Sequence, residues 1–278
     1  MKKTSFQSLI LWMMSISFCA HAACDENGKC IYDCSPEGAT ATCTAVFENG
    51  ILTISGEGEM KDYKYEGTSG SWHVVDVPWK NQINQIENVV IAGKITSVGE
   101  GTFTGSASLK NVTLSENVET IGKLSFIESN LENINLENVV DIRPAAFART
   151  NLREVTLSNE LERIGWQAFD GTKLNTLFIP DFVYSIGWAA FVETSTKIYC
   201  NNEGHRCDDL FFGDTDTGLK QNQLIKYEKE GDRYILDGHK YKSLSDMQKN
   251  EPVKRIYTIE EANLVAKPSG NTIKIRYK

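Results

Sequence analysis

The sequence predicts a β-rich repeat solenoid of five to six coils of about 22 residues, with a β-hairpin cap before it and a small α+β module after it. The first observation behind this prediction is a phrase that recurs five times. It reads Val98-Gly99-x-x-Thr102-Phe103, Ile121-Gly122-x-x-Ser125-Phe126, Ile142-Arg143-x-x-Ala146-Phe147, Ile164-Gly165-x-x-Ala168-Phe169 and Ile186-Gly187-x-x-Ala190-Phe191. Its phenylalanines follow one another at 23, 21, 22 and 22 residues. The second observation is a phrase of the same period between them: Leu109-x-x-Val112-x-Leu114, Leu131-x-x-Ile134-x-Leu136, Leu152-x-x-Val155-x-Leu157 and Leu174-x-x-Leu177-x-Ile179.

Alternating apolar and polar positions in this second phrase are those of a half-buried strand, and in a unit of this length they mark a leucine-rich repeat. A further apolar site (Val118, Val139 or Val140, Leu161, Val183) precedes each isoleucine. Each coil therefore sends about six apolar side chains inward. The phenylalanines place five rings at one level of the stack, worth about 1.5–3 kcal/mol each when buried. Glycine after the isoleucine points either to a turn or to a close approach between coils. Arg143-Pro144 breaks that rule in the third coil, where a change of chain path is expected. Amphipathic helices would not restore the same positions every 22 residues.

The unit Leu152-x-x-Val155-x-Leu157-Ser158-x-x-Leu161-x-x-Ile164-Gly165-x-x-Ala168-Phe169 resembles that of the BspA-type leucine-rich repeat proteins of bacterial surfaces. The likeness extends upstream into Gly50-Ile51-Leu52-Thr53-Ile54-Ser55-Gly56-Glu57-Gly58-Glu59-Met60-Lys61-Asp62-Tyr63, then Pro78-Trp79 and Val89-Val90-Ile91. It covers about residues 43 to 200. The resemblance implies a bacterial protein that adheres to host proteins or other cells.

In chain order, residues 1–22 read as a signal peptide. Lys2 and Lys3 precede an apolar run from Leu9 to Ala20, and Ala20-His21-Ala22 supplies the cleavage site. The run is short for a membrane span. Its removal takes two lysines and no acid, so a net charge of −8 becomes −10. That balance disfavours nucleic acid and anionic membranes as partners.

Residues 23–85 form the expected N-terminal cap. It contains Cys24, Cys30, Cys34 and Cys43, and a hairpin at Phe47–Ile54 turning on Asn49-Gly50. An even number of cysteines in an exported chain points to disulfides. Cys200 with Cys207 would close a short loop where the last coil ends. Among the other four, three pairings are possible, and proximity favours Cys24–Cys30 with Cys34–Cys43. The aromatics Tyr65, Trp72 and Trp79 either pack over the end of the stack or form a binding loop.

A weaker coil at Ile86-x-x-Val89-x-Ile91 opens the array, which runs over 86–207. Residues 208–226 read as a polar linker. The remainder of 208–278 reads as a module with a hairpin on Asp237-Gly238, a short helix near Ser243–Lys249, a capped helix over Ile259–Ala266 and a strand over Thr272–Tyr277.

No catalytic, phosphate-binding or dinucleotide motif is present, and His73, His205 and His239 lack partners in a recognisable arrangement. No enzyme activity, cofactor or metal is expected. Binding is better supported, because a solenoid displays one position of each coil as a row. The strand row is Thr113, Asn135, Thr156, Phe178 and Tyr199. A second row, after the Ile-Gly pair, is Glu100, Lys123, Pro144, Trp166 and Trp188. Adjacent tryptophans in register are either a stacked ladder or an exposed patch. The candidate contacts are Phe178, Tyr199, Trp166, Trp188, Asn135 and Thr156. Their ligand would be a protein or glycan of a host or neighbouring cell, met at the cell surface, in the medium or in the periplasm. The alternative is a structural envelope protein whose array holds the C-terminal module.

Overall fold

Apolar residues at alternate positions of the leucine phrase form parallel strands, and the isoleucine phrase forms a second set, so each coil contributes to two sheets. A computed structural model describes residues 23–38, 42–203, 206–212 and 216–249. The expected signal segment, His205, and the elements expected over Ile259–Ala266 and Thr272–Tyr277 lie outside these residues. The chain divides into two compact units, Met1–Lys226 and Tyr227–Lys278.

In the first unit, the first sheet starts with antiparallel strands Ala23–Cys24, Cys30–Asp33, Cys43–Glu48 and Ile51–Glu59. It continues in parallel through Asn88–Ile91, Asn111–Leu114 and Asn133–Ile134. In the next coil the strand expected at Leu152–Leu157 shrinks to a single bridge between Leu136 and Leu157. Strands Thr176–Ile179 and Lys197–Asn201 pair in parallel beyond it. The second sheet runs through Lys94–Val98, Thr120–Ile121, Asp141–Ile142, Arg163–Ile164 and Ser185–Ile186, all parallel. One long strand, Ile51–Glu59, templates both sheets. Its first half pairs with Asn88–Ile91 and its second half with Lys94–Ser97. The Asn49-Gly50 turn has φ of 50° and 80°, as a tight hairpin requires.

The third side of each coil is a run of turns centred on the phenylalanine. Residues two before and two after the ring take positive φ: Leu124 and Glu128 around Phe126, Ala145 and Arg149 around Phe147, Ala189 and Glu193 around Phe191. This winding sends alternate N–H groups to the next coil. Leu124, Phe126 and Glu128 donate to the carbonyls of Pro144, Ala146 and Ala148, while Ser125, Ile127 and Ser129 donate within their own coil. Two L-residues per coil in the left-handed region cost about 1–2 kcal/mol each, and the coil-to-coil ladder offsets that cost.

Glycine after isoleucine is explained by close approach. A Cβ on Gly122, Gly165 or Gly187 would lie 2.4 Å, 2.5 Å and 2.3 Å from backbone atoms of the preceding coil. The expected detour at Arg143-Pro144 does not occur. Asp141–Ile142 keeps its register with both neighbours, and Pro144 still accepts from Leu124 through its carbonyl. The reason is that the ladder draws its donors from the flanking residues Arg143 and Ala145.

The rings form one column through the core. Phe103, Phe126, Phe147, Phe169 and Phe191 stack at 5.5, 5.6, 5.5 and 5.9 Å, with interplanar angles of 17° or less. Trp79 closes one end at 6.0 Å and Phe211 the other at 6.0 Å. Tyr32 and Tyr63 meet Trp79 edge-on, and burial pushes the Tyr32 hydroxyl up to about 12.

Phe211 belongs to a segment that corrects the linker expectation. Arg206–Phe212 is a helix, tied back by the Cys200–Cys207 disulfide. Asp216 and Thr217 then accept from the N–H groups of Ala189 and Phe191, as a further coil would. Gln223 finishes the cap by donating to the carbonyls of Thr194 and Thr196 at 3.0 and 3.1 Å. The polar composition concealed this because the segment pairs through its backbone and buries few side chains, Thr217 and Leu219 among them. At the other end the disulfides are Cys24–Cys30 and Cys34–Cys43.

An antiparallel meander, Leu224–Glu230, Arg233–Leu236 and His239–Tyr241, turns on Asp237-Gly238, and all of it from Tyr227 onward lies in the second unit. Ser243 caps the following helix, Leu244–Gln248, by accepting from Asp246 N–H at 3.0 Å.

Candidate recognition surface

Outward positions of the first sheet form the row Val90, Thr113, Asn135, Thr156, Phe178 and Tyr199. Thr113, Asn135 and Thr156 are exposed, and Phe178 is half-buried. Tyr199 is a correction: it is 7% exposed, with its ring stacked on Phe178 at 4.6 Å. An aromatic in the last strand of the array has become part of the packing, so Tyr199 is no surface contact. Beside this row, Asn111 donates to Asn88 at 2.8 Å and Asn133 to Asn111 at 2.9 Å, a side-chain ladder along the coils.

Residues just past the strands of the second sheet, where the turns begin, differ between the two ends of the array. In the first coils they are tied down. Lys123 Nζ reaches Glu100 Oε1 at 3.1 Å and Tyr65 OH at 2.8 Å, and Tyr65 donates to the same carboxylate at 2.5 Å. Burial and the Glu100 hydrogen bond push the Tyr65 hydroxyl up, and the Tyr65 contact raises Lys123. In the fourth and fifth coils the corresponding residues are Trp166 and Trp188, 41% and 58% exposed.

Sequence reasoning missed two neighbours of the tryptophans. Phe182 is 70% exposed and Tyr184 is 62% exposed, on either side of the buried Val183. The signal was present, since the equivalents around Val118 and Leu161 are Asn117 with Glu119 and Glu160 with Glu162. Tyr184 N–H donates to the Glu162 carbonyl at 3.0 Å, which fixes it in register on the fourth coil. Four of the six large exposed apolar side chains among the described residues thus come from residues 166–188. Arg163, on the fourth coil, reaches back to Asp141 of the third at 3.0 Å and is raised mainly by that carboxylate. The candidate contacts therefore separate onto two sides of the coil: Asn135, Thr156 and Phe178 along the first sheet, Trp166 and Trp188 in the turns that follow the strands of the second.

The turn side is occupied at its N-terminal end. Tyr65–Glu66 and His73–Val74 pair as a small hairpin lying across coils one to three. The Glu128 carboxylate accepts from Gly70 N–H and, at 3.0 Å, from Trp72 N–H. Tyr65 and Trp72 cover Leu124, Ile127, Ala145 and Ala148. A Cβ on Gly101 would sit 2.6 Å from the Tyr65 ring, and one on Gly105 would sit 2.1 Å from the Trp72 carbonyl. The aromatic loop is thus a clasp on the array. Beyond it Arg149 bridges Glu128, Asp170 and Glu193 at 3.7–3.9 Å, linking four coils. Burial raises the Asp170 carboxyl, against the pull of Arg149.

Among the described residues, no group of three or more His, Cys, Asp or Glu could hold a metal ion, and no helix is long and apolar enough to cross a membrane. Three disulfides suit an oxidising location outside the cytoplasm.

Among solved structures, a leucine-rich repeat protein from Eubacterium ventriosum matches with a TM-score of 0.52 and 20% identity, over 75% of this chain and 48% of its own. The chain thus spans about half the length of that relative. A leucine-rich cell surface protein from Faecalibacterium prausnitzii matches with a TM-score of 0.32 and 20% identity, over 72% of this chain and 61% of its own. A leucine-rich repeat protein from Bacteroides ovatus matches with a TM-score of 0.22 and 14% identity, over 67% and 69%. No curated protein matches. The sequence profile of the BspA type leucine-rich repeat region matches residues 80–197 in six copies. With six such copies wound into a solenoid of the expected register, residues 80–197 form a BspA-type leucine-rich repeat array.

Proposed function

We propose that this chain is an exported, non-catalytic recognition protein of the cell surface. It binds a protein or glycan of a host or neighbouring cell through its repeat surface. The observation that carries the reading is the exposure of Trp166, Phe182, Tyr184 and Trp188 on two adjacent coils, where coils one and two hold the Glu100–Lys123 ion pair and Asn117 and Glu119 flank Val118. A concentrated exposed aromatic surface on a capped solenoid marks a partner site. Asn135, Thr156 and Phe178 form a secondary candidate face. The net charge of −8 directs the reading away from nucleic acid and anionic membranes.

The second reading is a structural envelope protein whose array holds the C-terminal unit, and it draws on that unit being separately compact. Surface protease treatment of intact host cells, followed by adhesion of purified wild-type and W166A/W188A protein to cells, separates the two. Recognition predicts a protease-accessible protein whose adhesion falls at least tenfold in the variant. Protection from protease, or adhesion unchanged in a folded variant, would sink it.

A further inference from the structure

The first sheet is interrupted at a place where the other two sides of the coil are continuous. Coil one pairs with coil two along all of Asn88–Ile91 and Asn111–Leu114, and coil five pairs with the last strand along Thr176–Ile179 and Lys197–Cys200. Between them, Leu152–Leu157 of coil four is held by the Leu136–Leu157 bridge toward coil three. Toward coil five it is held by the Asn175 N–H, which donates to the Arg153 carbonyl at 3.3 Å. Among the described residues, no acceptor meets the N–H groups of Glu154, Val155 and Thr156. Glu154 and Thr156 are exposed and Val155 is half-buried, so water satisfies these amides. The first sheet thus stops at Asn133–Ile134, and a separate one begins at Thr176–Ile179.

The same coils are tied throughout on their other two sides. In the second sheet Asp141–Ile142, Arg163–Ile164 and Ser185–Ile186 pair in unbroken register. In the turns, Ala145, Phe147 and Arg149 donate to Trp166, Ala168 and Asp170, while Gln167, Phe169 and Gly171 donate to Trp188, Ala190 and Val192. Phe147 and Phe169 stay 5.5 Å apart, but at 17° they are the most tilted pair of the phenylalanine column, whose other angles are 10°, 2° and 2°. The sequence supplies a cause. From the end of the leucine phrase to the next buried corner is four residues in Leu114–Val118, Leu157–Leu161 and Ile179–Val183, but three in Leu136–Val139. Coil three is therefore one residue short where the chain leaves its first-sheet strand, itself only the two residues Asn133–Ile134. A shorter corner draws that strand off the line on which Glu154–Thr156 would pair with it in parallel.

We propose that coil four is a hinge in the array. Coils one to three form one block and coil five with its following strand forms another. The first-sheet side between them opens and closes, while the second sheet and the turn ladder act as the pivot. Hinges lie where few bonds must break for a change of angle, and here one bridge and one hydrogen bond span the strand side. Thr113 and Asn135 stand on the outer face of one block and Phe178 on that of the other, so opening changes the curvature of the row that carries them. The hinge goes beyond the recognition reading and does not depend on it.

The test is double electron–electron resonance on the purified full chain with nitroxide labels at two pairs of engineered cysteines. Glu87→Cys with Lys197→Cys spans the first-sheet side over about 24 Å, and Ser97→Cys with Ser185→Cys spans the second sheet over about 19 Å, at about 4.8 Å per strand. The expected distance distribution is at least twice as broad for the first pair as for the second. Hydrogen exchange read by mass spectrometry is expected to be at least about a hundredfold faster at Glu154–Thr156 than at the slowest amides of Asn111–Leu114. One serine inserted between Glu137 and Asn138 restores the common corner length. It is expected to slow exchange at Glu154–Thr156 at least about tenfold and to narrow the first-sheet distribution to the width of the second. Equal widths in the uninserted array overturn the proposal whether or not the insertion variant folds. So does an insertion variant, folded by circular dichroism, that changes neither width nor exchange. Fast exchange at Glu154–Thr156 beside a narrow first-sheet distribution also overturns it, and leaves a rigid array with an unpaired segment.

Discussion

Replacing Phe147 by alanine tests the column of rings that holds the coils together. Phe147 is fully buried, with Phe126 at 5.6 Å on one side and Phe169 at 5.5 Å on the other. Truncating a buried phenylalanine costs about 3–5 kcal/mol, combining lost transfer energy with the cavity left behind. Each lost ring pair adds to this within a range of about 0.5–1.5 kcal/mol. For a unit of this size, a loss of about 4 kcal/mol lowers the melting midpoint by roughly 8–16 °C. In a solenoid each coil is stabilised by its neighbours, so the position in the column matters. Phe211→Ala removes one ring neighbour where Phe147→Ala removes two, and costs less. Urea unfolding followed by far-ultraviolet circular dichroism measures both. A loss below about 1.5 kcal/mol for Phe147→Ala, or a larger loss for Phe211→Ala, would refute the column as the principal tie between coils.

Three further outcomes follow from other contacts. Gly187→Ala places a Cβ 2.3 Å from the Trp166 backbone and is expected to cost at least about 2 kcal/mol, whereas Gly171→Ala meets only the Arg149 side chain at 3.2 Å and pays about 1–2 kcal/mol for its φ of +62°. Equal midpoints would show that close approach is not what selects glycine after isoleucine. Asp170 has a raised folded-state pKa, so its favourable contribution is complete below its unfolded value and is lost as pH rises through the folded value. Asp170→Asn therefore gains relative to the wild type as pH rises above the ordinary aspartate range, and a gap that narrows on that rise in paired melts would contradict this sign. Glu128→Ala removes the acceptor for Gly70 and Trp72, so residues 66–72 become a preferred site of limited proteolysis and Trp72 fluorescence shifts to the red. An unchanged digestion pattern would show that the apolar contacts of Tyr65 and Trp72 hold the clasp without it.

The array was legible in the sequence because every coil solves the same packing problem, so its solution is written five times. Val98, Ile121, Ile142, Ile164 and Ile186 pair in the second sheet with the register their spacing requires. Singular elements were harder to read. The C-terminal cap fills the column with Phe211 from a helix and pairs through the backbone of Asp216 and Thr217, neither of which repeats anything. Tyr199 occupies a row position that is exposed in Thr113, Asn135 and Thr156, and only its stacking on Phe178 and its burial distinguish it. Phe182 and Tyr184 were visible by the same subtraction of the repeat that isolated the tryptophans, because polar residues hold their positions around Val118 and Leu161.

Departures from the repeat are where individual coils acquire separate roles. In coil one, Gly101 and Gly105 replace side-chain-bearing residues of the same backbone conformation, and the clasp passes over them. In coils two and three, Glu128 and Arg149 take those positions and tie the clasp to the turn ladder. In coils four and five the turns after the second-sheet strands carry tryptophans where coils one and two carry the ion-paired Glu100 and Lys123, while the core beneath keeps Ile164, Phe169, Ile186 and Phe191 buried. A change confined to outward positions leaves coil-to-coil stability nearly untouched, since that stability resides in the inward positions and the ladder. The aromatic strip can therefore be altered without unfolding the array, which is the condition that a mutational test of recognition requires.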